Sequence, residues 1–190
     1  MRIVTSPRAR ALVGITLLLA LAAGCSDGSG PSPAGPDDPA YAGFGPYPVG
    51  VTTLDLQDRQ VEVWYPTDAA RIEGRTKASY VAFEVLPPAI VAILPPDLNL
   101  EIRMDAYRDV AASSDGPFPV FTFSHGAGGF RHAYSGFLTR LASHGLVVAS
   151  IDHLEWGLLA QVGLRPADAV DRAPADVLVE TLARLDDASR

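Results

Sequence analysis

Between Ser124 and Gly129 the chain reads Ser-His-Gly-Ala-Gly-Gly, three glycines in four positions directly after an apolar run that ends at Phe123. Glycine lacks a Cβ, so such a loop can turn sharply and bring bare backbone N–H groups close to a bound carbonyl. There they can stabilise the oxyanion of a tetrahedral intermediate. Glycine-rich loops after strands also hold phosphates, but the sequence has neither GxGxxG spacing nor the Lys-Ser or Lys-Thr of a phosphate loop. No serine is set in GxSxG, so Ser124 and Ser135 read as hydrogen-bonding residues of the loop and of a helix start, not as nucleophiles. The ring of His125 is expected to be packed or hydrogen-bonded, and His132, His144 and His153 are not read as a catalytic base. Asp152, His153 and Glu155 lie close together, yet their spacing matches no zinc signature, so no metal site is predicted.

The elements that must position this loop follow from periodicity. Val49 to Leu56 and Gln60 to Tyr65 are β-rich, the second alternating Val61, Val63 and Tyr65 against Glu62 and Trp64, and Gln57 to Arg59 between them suggests an antiparallel hairpin. Pro119 to Phe123 and Leu146 to Ile151 are short apolar strands. Between them Tyr134 to His144 carries Phe137, Leu138 and Leu141 on a helix that Gly145 would close. Strand, helix, strand with such apolar strands predicts a βαβ unit in a mostly parallel sheet covered on both faces, with LVVASI as its last, exposed edge. Ala175 to Leu185 reads as a helix with Leu178, Leu182 and Leu185 on one face. Lys77 to Val110, broken by Pro87-Pro88 and Pro95-Pro96, reads as an insertion with short helices. Its apolar residues (among them Val81, Val85, Leu86, Ile93 and Leu94) either line a hydrophobic entrance or pack beneath the insertion.

Several stretches decide between loops of this kind. Phe123-Ser124-His125-Gly126, Phe130-Arg131, Tyr134-Ser135, Leu141-Ala142-Ser143-His144-Gly145, Val148-Ala149 and His153 together resemble the platelet-activating factor acetylhydrolase family of lipases. The upstream GPYPVGVTTLD and VEVWYPT resemble the opening hairpin of that family and of its dienelactone-hydrolase-like relatives. The resemblance runs from Gly45 to Leu185 and is weak across the insertion. It implies the N-terminal portion of an α/β-hydrolase fold, incomplete in this chain, and a carboxylic ester hydrolase that needs no cofactor and acts on small-molecule or lipid esters. It also implies that the backbone N–H of Ala127 is an oxyanion donor, with Gly126 and Gly128 shaping the loop. The family usually carries a larger residue, often Leu, in place of Ala127, a change that a backbone donor survives. Its serine nucleophile, in GxSxG, and its Asp and His lie on later strands and are expected beyond Arg190, which would leave this chain inactive by itself. The alternative is a catalytically inactive lipoprotein that binds apolar ligands or partners.

The N-terminal segment sets the expected location. Residues 1–24 combine a basic start with an apolar run from Ala11 to Ala23, the layout of a secretory signal peptide. At 13 residues the run covers roughly 20 Å as a helix, too little for a hydrocarbon core of about 30 Å. Leu21-Ala22-Ala23-Gly24-Cys25 then resembles a bacterial lipobox, whose cysteine becomes the lipidated N-terminus, and Cys25 is the sole cysteine. Residues 25–40 form a Ser/Gly/Pro/Asp-rich linker with no large apolar side chain, expected to be a disordered tether, and residues 41–190 form the hydrolase domain. The expected location is therefore the bacterial cell envelope, exported and held to a membrane through Cys25. Without residues 1–24, which hold Arg2, Arg8 and Arg10 and no acid, 12 basic residues face 22 acidic ones. A surface of that charge argues against nucleic acid as a partner.

Overall fold

Two β-rich runs separated by a tight turn form the hairpin that their alternation predicts. β1 (Val49–Asp55) pairs antiparallel with β2 (Gln60–Pro66), from Val49 opposite Pro66 to Asp55 opposite Gln60, and the Leu56 N–H donates to the Arg59 carbonyl at 2.9 Å to close the turn. The computed structural model describes residues 42–56, 58–165, 172 and 174–188, all within the unit Pro39–Arg190. The expected signal peptide, Cys25 and the linker up to residue 40 lie outside the described residues. Among the described residues no helix is long and apolar enough to cross a membrane.

Within the insertion, β3 (Ser79–Val81) and β4 (Glu101–Arg103) make a separate antiparallel pair, and β5 (Tyr107–Arg108) runs parallel to β1. Between β3 and β4 come the short helical turns Ala82–Val85, Pro88–Val91 and Pro96–Leu98. Prolines open two of them, at the positions where a missing N–H costs nothing. The short helices were legible in the sequence; the two-stranded sheet that frames them was not.

The predicted βαβ unit is present. β6 (Val120–Ser124), helix α1 (Ser135–Ser143) and β7 (Val147–Ile151) follow one another, and the two strands pair in parallel with Val120 opposite Val147 and Ser124 opposite Ile151. α1 stops where Gly145 takes φ +92°, its N–H donating to the Ala142 carbonyl at 3.0 Å. A last helix, α2 (Pro174–Ala188), ends the described chain.

The main sheet has the order β5-β1-β2-β7-β6, and it is mixed: β2 is antiparallel to both β1 and β7. That corrects two expectations. The sheet is not mostly parallel, and LVVASI is an interior strand between β2 and β6. Among the described residues the outer strand on that side is β6, where Val120 is 45% and Phe121 40% exposed. Strand β2 is central and covered on both faces, so its alternation separates two cores, not core from solvent. Trp64 packs with Val51, Leu138, Ala142 and Val148 on one face, and Val61 and Val63 with Leu56, Ala149, Ile151 and Val177 on the other. Val177 brings α2 to that second face; of the predicted leucine stripe, the side chains of Leu178 and Leu185 lie outside the described residues. Leu182 is 41% exposed, while Val177 and Thr181 are buried and Thr181 Oγ1 donates to the Val177 carbonyl at 2.8 Å.

Candidate functional site

The glycine loop leaves the C-terminal end of β6 as a β-turn. The Gly129 N–H donates to the Gly126 carbonyl at 3.0 Å, and Gly128, third in the turn, has φ +78°. A positive φ at that position is the mark of a type II turn, and glycine meets it without strain. The turn is locked to the loop that follows β7. The Gly128 N–H donates to the Trp156 carbonyl at 2.9 Å and the Leu158 N–H to the Gly129 carbonyl at 2.8 Å, while the His153 N–H reaches His125 Nε2 at 3.3 Å. Because His125 Nε2 accepts, the proton of its neutral ring sits on Nδ1, which donates to the Gly126 carbonyl at 3.0 Å. His125 is thus a buried brace of the loop, as the sequence suggested.

Two N–H groups at the start of this turn, those of Gly126 and Ala127, are left over. Among the described residues nothing accepts from the backbone N–H of Ala127, and Ala127 itself is exposed. Gly126 and Gly128 flank it but do different work. A Cβ on Gly126 would meet nothing within 4 Å, whereas Gly128 is fixed by its φ, and a Cβ on Gly129 would come within 2.9 Å of His125 Nδ1. The sequence reading missed Gly157, whose Cβ would stand 2.3 Å from the His153 carbonyl oxygen. Gly157 is glycine chiefly because its own loop folds back on His153, whose carbonyl accepts from the Gly157 N–H at 2.8 Å, and the Gly129 carbonyl of the other loop would stand 3.2 Å from the same Cβ.

Ser124 Oγ lies 2.7 Å from His153 Nε2, a contact between the two loops that sequence spacing did not reveal. The His153 ring is buried and stacks on Trp156 with centroids 4.5 Å apart. Burial first, and His125 beside it, push its pKa below the ordinary imidazole value, so the ring is neutral near pH 7. Further ion pairs hold the second loop. Arg131 clasps Asp152 through its own N–H at 2.8 Å and through Nη1 at 2.7 Å, and the buried Arg59 pairs with Glu155 at 2.9 Å. Asp152, His153 and Glu155 therefore face three different partners, and among the described residues no group of side chains could hold a metal ion.

Beside the turn lies a cavity of about 300 Å³, walled by Phe130, His153, Leu154 and Leu158 from the two loops and by Val85 and Leu86 from the insertion. Val85 and Leu86 of the insertion thus line a cavity instead of only packing beneath the insertion. Ile93 is 76% exposed and stands outside this lining. The arrangement can do two things chemically: present an unpaired N–H to a group that gains negative charge, and seat an apolar substituent alongside.

Residues 38–165 match the family model described as platelet-activating factor acetylhydrolase, isoform II. A platelet-activating factor acetylhydrolase of Cavia porcellus is 27% identical over 139 residues, covering 68% of this chain and 32% of that protein. One of Canis lupus familiaris is 53% identical over 36 residues, which is 19% of this chain and 8% of that protein. A ferulic acid esterase from Streptomyces cinnamoneus matches in structure with a TM-score of 0.44 and 27% identity, over 62% of this chain and 37% of its own. The chain spans about a third of the length of the first of these relatives.

The turn makes a prediction that separates its glycines. Gly128→Ala forces a side chain into the left-handed region and should cost about 1–2 kcal/mol, whereas Gly126→Ala, with open space around its Cβ, should unfold at the wild-type temperature. Thermal unfolding of both variants checks this, and equal behaviour of the two would contradict the turn as described.

Proposed function

The chain belongs to the platelet-activating factor acetylhydrolase, isoform II, family, and from that premise we propose that the protein is a carboxylic ester hydrolase of the lipase or esterase type, acting on small-molecule or lipid esters. The observation that carries the reading is the Ala127 N–H, without an acceptor among the described residues, on a turn locked at the end of a parallel strand beside an apolar cavity. When a nucleophile attacks an ester carbonyl, the oxygen takes on the negative charge. A donor already fixed at that place stabilises the charge without having to reorganise. Ala127 would supply one such donor. In α/β-hydrolases the second comes from the residue after the nucleophile. The oxyanion then collapses, the alcohol leaves, and water releases the acyl group from the serine.

The serine of that scheme is the family's, carried in GxSxG. No such motif occurs in these 190 residues, and the proposal assigns the nucleophile, its His base and the orienting Asp to polypeptide outside them. The Ser124–His153 pair is read as a brace between the loops, since its imidazole is stacked and buried and its serine precedes the turn. In the same proposal Cys25 is lipidated and holds the protein to the cell envelope, a reading supported by the LAAGC sequence after the apolar run. Metabolic labelling with a fatty acid should mark the wild type and not Cys25→Ser; equal labelling of both would remove the anchor.

A substitution exists that deletes the donor and little else. Proline suits the second position of a type II turn and has no N–H, so Ala127→Pro should leave the unfolding temperature near that of the wild type. Against a short-chain aryl ester, with the GxSxG-bearing polypeptide present, kcat should fall by about 10²–10³, the usual effect of losing one oxyanion donor. Unchanged kcat in a folded variant would remove Ala127 from the mechanism. Absence of turnover in the wild type, with apolar ligands still bound, would favour the inactive binding lipoprotein.

A further inference from the structure

A second cavity lies at the same end of the sheet as the glycine turn. Strands β1, β6 and β7 run in one direction, since β2 is antiparallel to both β1 and β7 while β6 is parallel to β7. Asp55, which ends β1, and Gln60, which begins β2, therefore stand at the end where the turn after β6 and the loop after β7 emerge. The cavity holds about 500 Å³, within the roughly 300–1,000 Å³ of small-molecule sites. Its walls come from β1 and β2, from Ser79 and Glu84 of the insertion, from Arg108 and Asp109, and from Arg131 and His132 after the glycine turn. Glu84 and Arg131 also line the apolar cavity, so the two cavities meet there.

Every side chain that lines the second cavity is polar or charged, whereas the first carries Val85, Leu86, Phe130, Leu154 and Leu158. The signs of those charges select the ligand. Both guanidinium groups already have a carboxylate: Arg108 Nη1 donates to the buried Glu62 at 2.5 Å, and Arg131 Nη1 to Asp152 at 2.7 Å. Two of the wall carboxylates are held by neutral donors, Gln60 Nε2 donating to Asp55 at 2.8 Å and Thr52 Oγ1 to Asp109 at 2.7 Å, which leaves lone pairs on each. An anion in this cavity would face Asp55, Glu84 and Asp109, and a cation would face Arg108 and Arg131, so each meets like charge. A hydroxyl both donates and accepts. A neutral group with several hydroxyls can therefore pair with the carboxylates and with the guanidinium, amide and hydroxyl donors at once.

We propose that this cavity is a polyol subsite, receiving the polyhydroxylated alcohol half of an ester, of the sugar type, whose acyl half occupies the apolar cavity across Glu84 and Arg131. The placement of the two halves rests on the function proposed above; the affinity for a polyol does not.

Titration of the nitrogen-15-labelled chain with methyl β-D-glucopyranoside tests the subsite without catalysis. The amides of Thr53, Gln60, Ser79 and Arg108 should shift together and saturate in the millimolar range, while sodium phosphate and methylammonium chloride at equal concentrations should leave them in place. Ser79→Tyr fills the cavity from an exposed position on β3, where an aromatic residue suits a strand, and should abolish the shifts at an unchanged unfolding temperature. Asp109→Asn keeps both the φ of 52°, which asparagine tolerates, and an acceptor for Thr52, and should weaken binding by roughly fivefold, the effect of losing the charge from one hydrogen bond. No shift with the glucoside, equal shifts with phosphate or methylammonium, or full binding by both variants would overturn the subsite. With the GxSxG-bearing polypeptide present, kcat/KM for methyl glucoside butyrylated on its primary hydroxyl should exceed that for ethyl butyrate by roughly tenfold, and the ratio should fall to near one in Ser79→Tyr. Glucoside binding with a wild-type ratio near one would overturn the placement of the alcohol half. Absence of turnover of either ester, with glucoside binding intact, would overturn the ester hydrolase and the placement of both halves while the polyol subsite stands.

Discussion

Backbone hydrogen bonds between the turn after β6 and the loop after β7 set the geometry on which the rest of the site depends. The Gly128 and Leu158 N–H groups cross in opposite directions between the two loops, and the His153 N–H meets the His125 ring. Each such bond contributes about 1 kcal/mol net, so no single one fixes the turn. The set does, because β6 and β7 are adjacent parallel strands whose ends fall together, Ser124 opposite Ile151. Once the carbonyls of Trp156 and Gly126 are occupied by the Gly128 and Gly129 amides, the N–H groups of Gly126 and Ala127 are those of the turn with no acceptor among the described residues.

That register depends in turn on β2. Strand β7 is held between β2 and β6, and the two cores on either side of β2 put α1 on one face of the sheet and Val177 of α2 on the other. The charged side chains then act locally. Arg59 from the hairpin turn and Arg131 from the segment after the glycine turn grip Glu155 and Asp152, so the second loop is held from two directions. His132 lies between Glu62 of β2, 3.1 Å from its Nε2, and Glu84 of the insertion, 3.3 Å from its Nδ1, beside the aromatic rings of Tyr80 and Phe130.

How much of this the sequence revealed depends on the kind of interaction. The hairpin, the βαβ unit and the stop at Gly145 were legible because period two, apolar runs and a glycine after a helix are local codes. The place of β7 inside the sheet was not, since nothing in LVVASI states that β2 will pair beside it. On α2 the burial of Thr181 was not legible, because its hydroxyl is satisfied by its own helix through the Val177 carbonyl, a pairing that a polar residue does not advertise in sequence. Of the site, the glycines were visible but their separate tasks were not. Gly128 is set by a dihedral and Gly129 by the His125 ring, and Gly126 has room for a side chain. Trp156 and Gly157 were invisible because backbone carbonyls carry no sequence signature, and the Ser124–His153 contact because its partners are 29 residues apart.

The central claim is that the interlocked loops protect every amide of the turn's crossing and leave that of Ala127 free to bind a charge. Amide exchange resolved by residue, in a nitrogen-15-labelled protein, measures this directly. The account predicts protected amides at Gly128, Gly157 and Leu158 and an Ala127 amide that exchanges at close to the rate of an unstructured peptide. Protection of Ala127 equal to that of its neighbours, or free exchange at Gly128 and Leu158, would contradict it.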